Sequence, residues 1–119
     1  MDRNEGFHKL LVYQKSDELT LKIYEVTRSF PKEEIFGLIS QMRRAAVSVP
    51  SNIVEGYTRK SKNDKLHFYN IAQGSLMELE YQLELSQKLG YISEADFNKI
   101  IDRKDEVGRL LYGFIDKSK

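Results

Sequence analysis

Apolar side chains recur along this chain in steps of three and four, and very little interrupts the stepping. That spacing is the period of an α-helix, and strand-type alternation never runs for a useful length. Only 2 prolines and 7 scattered glycines stand among the 119 residues, so long stretches are free to be helical. The fold class that follows is all-α, an antiparallel up-down-up-down four-helix bundle.

The first helix is expected from about Leu10 to Arg28, with Val12, Ser16, Leu19, Ile23, Val26 and Phe30 on one stripe. Phe30-Pro31 ends it, because the residue before a proline is pushed out of the α region. Pro31, Lys32, Glu33 and Glu34 then read as an acidic first turn of something helical. The second helix should begin between Glu33 and Leu38 and reach about Tyr57. One of its faces carries Leu38, Met42, Ala45, Val49, Ile53 and Gly56, and another carries Ile39, Ala46, Val47 and Val54. Apolar residues on two sides imply several neighbours. Pro50 lies inside the pattern and is expected to kink the helix near residues 46 to 50; two shorter helices meeting there is the alternative.

Arg59 to Asn63 reads as a polar turn. The third helix is expected from about Asp64 to Leu89, striped by Phe68, Ala72, Ser75, Leu76, Leu79, Leu83 and Ser86, with Gly90 as its left-handed stop. Ser93, with Asp96 three residues on, caps a fourth helix striped by Phe97, Ile100, Lys104, Val107, Leu111 and Phe114. No repeat or linker divides the chain, so residues 1–119 make one domain, with 1–8 as a loose N-terminal segment.

Composition narrows the function classes. Charged residues make up 31% and hydrophobic ones 40%, a globular balance. Net charge is +1, from 19 basic and 18 acidic residues, which lacks the basic excess of a general nucleic-acid binder. There is no cysteine, so disulfides and thiolate chemistry are excluded. Met1 to His8 carry no signal-peptide core and no apolar run approaches the roughly 20 residues of a membrane span, so a soluble, cytoplasmic protein with no membrane partner is expected.

Two polar features stand out. On the second helix Gln41, Arg44, Ser48, Asn52, Glu55 and Arg59 share one face between apolar surfaces. On the third, Gly74, Ser75, Glu78 and Gln82 interrupt the stripe. Small residues at Ala45, Ala46, Gly74 and Ser75 would let two helices approach closely, with Arg43 or Arg44 reaching Glu78 or Glu80. The favoured reading is a polar network of Gln41, Arg44, Ser48, Asn52, Glu55 and Glu78 between helices or subunits, fixing register and partner choice. A solvated face and a ligand or nucleic-acid site are the alternatives.

The other feature is basic: Arg59, Lys60, Lys62 and Lys65 cluster at the turn between the second and third helices. Cations at a helix C-terminus complement its dipole, which explains them without a ligand. A ring of subunits would repeat the patch and sum its phosphate contacts. With Arg43 and Arg44 these are the candidate nucleic-acid contacts, and Tyr57, Phe68 and Tyr69 flank them as stacking candidates.

Signals for catalysis are weak. The glycines form no phosphate-binding loop. Asp64 and His67 have the i, i+3 relation of a carboxylate-bridged metal motif, but one copy falls short of what a di-metal bundle requires. No enzyme activity, cofactor or metal site is expected.

The stretch from Phe30-Pro31 through Gly37, Gln41, Arg43-Arg44, Ser48, Pro50, Asn52 and Glu55-Gly56 resembles a known family. So do the blocks Ala72 to Glu80 and Leu11 to Lys15. The likeness spans roughly residues 8 to 92 and is to the four-helix-bundle proteins encoded in intervening sequences of bacterial 23S rRNA genes. It implies an antiparallel bundle assembled as a homopentamer, and kinship with the nucleic-acid-binding accessory subunits of diversity-generating retroelements. Those relatives are strongly basic and this chain is near neutral. The leading expectation is a non-enzymatic, oligomeric interaction protein that binds RNA or another nucleic acid. The alternative is a protein-binding scaffold with no nucleic-acid contact.

Overall fold

The structure, a computed structural model, describes residues 6–119. Four α-helices follow a 3-10 turn at Gly6–Lys9: α1 (Leu11–Thr27), α2 (Leu38–Thr58), α3 (Lys62–Lys88) and α4 (Glu94–Ser118). A second 3-10 turn, Lys32–Glu34, leads into α2. Of the expected loose N-terminal segment, residues 1–5 lie outside the described residues. The molecule measures 43 × 26 × 25 Å.

Each helix packs on two neighbours, in the ring order α1, α2, α3, α4 and back to α1, and the α2–α3 contact is the most extensive. Paired residues run in opposite directions along successive helices. Thr20 meets the Ala46 carbonyl and Thr27 meets Arg43 across α1 and α2. Ser48 meets Ser75 and Met42 meets Ser86 across α2 and α3. Between them run the expected stripes: Leu19, Ile23, Met42, Val49, Ile53, Leu79, Leu83, Ile100, Val107 and Leu111 are almost wholly buried. At the far end of α4 it is Ile115 that is buried, with Phe114 half-buried against the Tyr69 ring.

Pro50 does not divide α2, which continues through it as one helix. Proline lacks the N–H that would bond the carbonyl of Ala46, four residues back. The Thr20 hydroxyl of α1 reaches that oxygen at 3.1 Å, so a neighbouring helix supplies the donor. The same hydroxyl lies 2.9 Å from its own Ser16 carbonyl, and its single hydrogen is shared between the two.

The helix ends follow local chemistry. Gly90 has φ +80°, Tyr91 N–H donates to Ser86 O at 2.9 Å and Gly90 N–H to Gln87 O at 3.0 Å, a Schellman closure. Ser93 Oγ accepts from Asp96 N–H, as expected. Ser61 does the same for Asp64 N–H, so α3 starts two residues earlier than its stripe suggested. Glu34 is the N-terminal anchor of α2: one carboxylate oxygen accepts from Leu38 N–H at 3.2 Å and the other from Tyr91 O–H at 2.9 Å. That hydrogen bond holds the Tyr91 phenol above its usual range.

Candidate functional site

The polar row of α2 faces outward along the α2–α3 seam. Gln41, Arg44, Glu55 and Arg59 are exposed, and Ser48 and Asn52 are half-buried. Its middle is a real bridge between helices: Ser48 Oγ lies 2.8 Å from Ser75 Oγ, and Asn52 Nδ2 donates to Ser48 Oγ at 2.9 Å and to Ser48 O at 2.8 Å. Glu55 pairs only within its own helix, with Arg59 at 3.0 Å. Glu78 likewise accepts from Gln82 Nε2 of its own helix at 3.1 Å, while Gln82 Oε1 is buried without a partner.

The expected reach from Arg43 or Arg44 to Glu78 or Glu80 does not occur. Successive residues on a helix point about 100° apart. Arg43 therefore turns to α1, donating from Nε to Thr27 Oγ1 at 3.0 Å with its guanidinium 4.6 Å from the Tyr24 ring centre. Arg44 lies exposed beyond it.

Glu80 is taken by Lys104, a buried stripe residue for which the sequence reading named no partner. Its ammonium contacts Glu80 and lies 2.9 Å from Asp105 Oδ1. Burial pushes the ammonium toward neutrality, but the two carboxylates outweigh it and hold it above the ordinary lysine range. The available signal was a lone cation on the stripe of Ile100 and Val107, one helix away from a Glu80 that the sequence reading had assigned to Arg43 or Arg44.

Gly56 is the position of closest approach. A Cβ there would lie 2.4 Å from Tyr69 Cε1. Gly74, expected to serve the same purpose, is exposed, and a Cβ on it would meet nothing within 4 Å.

The six candidate nucleic-acid contacts fall into two separate groups. Arg43 and Arg44 line a groove of about 870 Å³ between the C-terminal half of α1 and the N-terminal half of α2. Arg28 and Lys32 line it too, its walls include Phe30, Ile35, Ile39 and Val47, and no lining residue is acidic. Arg59, Lys60, Lys62 and Lys65 sit at the other end of α2. The 16 residues from Arg43 to Arg59 correspond to about 24 Å of helix.

At that second end the cations are partly engaged. Lys65 Nζ donates to the Tyr57 carbonyl at 2.9 Å, complementing the C-terminus of α2 as the dipole argument requires. Lys62 donates to the Lys119 carbonyl, and Arg59 stacks 4.8 Å from the Phe68 ring centre. Lys60 is exposed. Tyr69 is not a stacking candidate: it is 1% exposed, and burial followed by the nearby Tyr57 raises its pKa.

Among the described residues no group of three His, Asp or Glu side chains gathers as a metal site, and no helix is long and apolar enough to cross a membrane. His67 packs edge-on to Phe68, ring centres 5.2 Å apart.

The 23S rRNA-intervening sequence protein family matches the chain over residues 8–113. The chain belongs to that family. Its fold has a solved counterpart in a protein of unknown function from the S23 ribosomal protein family of Bacteroides thetaiotaomicron, with a TM-score of 0.82 and 28% identity. The similarity covers 89% of this chain and 96% of that one. Comparison with curated proteins produced no match. Family membership thus comes with a shared bundle and no assigned reaction.

Proposed function

We propose that the chain is a non-enzymatic subunit of a homo-oligomer, a pentamer as its resemblance implies, which presents the α2–α3 turn to RNA or another polyanion. One observation carries the assembly reading: the folded chain leaves large apolar side chains uncovered on more than one face. Phe36 is 96% exposed, Leu21 64%, Tyr81 63% and Met77 56%. Single exposed hydrophobics are ordinary, but groups of them on a structured surface mark association sites. The outward polar row of α2 supports the same reading, since among the described residues Ser48 is the one member with a hydrogen bond to another helix.

The polyanion surface is then the rim formed by Arg59, Lys60 and Lys62, with Lys65 mainly tied to the end of α2. Cyclic symmetry would bring these turns together on one side of the assembly, and phosphate contacts gain from such summation. Arg43 and Arg44 belong with the groove at the other end.

Sedimentation equilibrium at micromolar concentration tests the assembly; monomer alone would refute it. Structured RNA titrated at several salt concentrations tests the rim, which requires affinity that falls as salt rises. Binding to a protein partner that survives reversal of Arg59 and Lys60, with no RNA binding at low salt, would favour the scaffold alternative.

A further inference from the structure

We infer that the α1–α2 groove of one copy receives the outer face of α3, centred on Met77 and Tyr81, of a second copy. This rests on the proposed self-assembly and specifies its contact.

The groove states what it would accept. Its aliphatic wall of Ile35, Ile39 and Val47 has nothing to offer a phosphodiester chain, but it suits apolar side chains. Arg28, Lys32 and Arg44 add positive charge, and Arg43 engages only neutral groups, the Thr27 hydroxyl, the Tyr24 carbonyl and the Tyr24 ring. The fitting occupant is a helix with apolar residues one turn apart and carboxylates beside them.

Such a helix is present on the same chain. Met77 and Tyr81 are one turn apart on α3, 56% and 63% exposed. Glu78 lies exposed between them and Glu84 follows half-buried, neither in an ion pair among the described residues. Gly74 precedes Met77 by three positions. A glycine weakens the interior of a 27-residue helix, and among the described residues none lies within 4 Å of the missing side chain. A second copy lying against α3 would use it, because its backbone or side chains could then approach closely.

The two surfaces are distinct, and the outer face of α3 looks away from the helices that form the groove. One copy cannot fill its own groove, and the contact is heterologous. It propagates head to tail until the rotation closes a ring.

The absence of native cysteine makes the test clean. Val47→Cys and Met77→Cys variants each carry one thiol. After subunit exchange, the mixture treated with a short bis-maleimide, which adds to both thiols, should give a crosslinked dimer that neither variant gives alone. Dimers of Met77→Cys with itself would overturn the inference in favour of face-to-face α3 pairing. An oligomer by sedimentation with no crosslink in the mixture would overturn this pairing and leave self-assembly standing. Monomer in both variants and the parent would overturn both.

Charge reversal provides the second arm. Arg28→Glu with Arg44→Glu, or Glu78→Lys with Glu84→Lys, should each weaken assembly at least tenfold with unchanged helical signal. All four together should recover most of it. No loss in either pair, or RNA that binds the groove and prevents the crosslink from forming, would refute the contact.

Discussion

Gly56→Ala inverts the usual rule for a glycine inside a helix. In an open helix interior alanine is favoured over glycine by about 1 kcal/mol. Here the added methyl would sit 2.4 Å from Tyr69 Cε1, 2.8 Å from Cδ1 and 3.1 Å from the Lys65 carbonyl oxygen. Carbon atoms in contact settle at about 3.5–4.0 Å, so the ring would have to retreat by more than about 1 Å. It has little room, being 1% exposed and packed against Phe114 at 4.8 Å between ring centres. Overpacking of this kind costs about 1–3 kcal/mol, and the upper part of that range applies where the neighbour is an immobile ring. The expected net is a loss of about 1–2 kcal/mol and a fall of roughly 5 °C in Tm for a domain of this length. Urea denaturation at a fixed protomer concentration measures it, because assembly is linked to stability. A second background makes the reasoning decisive. Tyr69→Ala alone should cost about 3–5 kcal/mol. With the ring gone, only the Lys65 carbonyl at 3.1 Å still crowds the methyl, so most of the cost of Gly56→Ala should disappear. Stabilisation by Gly56→Ala in the parent would refute the close α2–α3 approach.

Thr20→Val should cost about 1 kcal/mol by orphaning the Ala46 carbonyl, and the cost should largely vanish in a Pro50→Ala background, where residue 50 supplies its own N–H; chemical denaturation of the four-variant cycle checks this. Lys104→Met should leave stability within about 1 kcal/mol, since Glu80 and Asp105 remain open to water, whereas Lys104→Ala should lose about 2–3 kcal/mol through the void it leaves. The raised Lys104 and Tyr69 pKa values favour the protonated forms in the fold, so their contribution is full below the unfolded values and is lost as pH rises through the folded ones. Stability should therefore decline above about pH 10, less steeply for Lys104→Met, in denaturation curves taken from pH 8 to 11. If the rim binds RNA, Lys60→Glu with Lys62→Glu should lower affinity and flatten the logarithmic salt dependence by about 0.9 for each phosphate contact removed, read by fluorescence anisotropy.

What the sequence made legible were features whose cause is local. Gly90 and Ser93 end and begin helices by their own backbone chemistry, and the apolar stripes follow from the helical period. Ser61 was obscured because a run of charged and polar residues around it resembled a continuous turn. The misplaced details were those that depend on a neighbour. Arg43 and Arg44 differ by one position, yet one clasps α1 and the other faces solvent. Lys104 sits where periodicity expects an apolar residue, and only the facing Glu80 explains it. Gly74 and Gly56 look alike as small residues on a stripe, and what stands opposite each one tells them apart. The same limit governs the candidate site: spacing placed the α2 polar row on one face but could not say that the face looks outward.

The Thr20 hydroxyl on the Ala46 carbonyl, left without a helical donor by Pro50, also bears on the order in which this chain can reach its fold. An α2 segment by itself must carry an unanswered carbonyl at Ala46 in the middle of its longest apolar stretch. Water can satisfy that oxygen until the core closes, and after closure α1 must do so. The α2–α3 pair, although the most extensive contact in the bundle, therefore cannot become dry on its α1 side until the first helix arrives with its hydroxyl in register. The proline acts as a checkpoint on docking: a helix lacking a donor at that height leaves a buried defect, and α1 placed one turn out of register does the same.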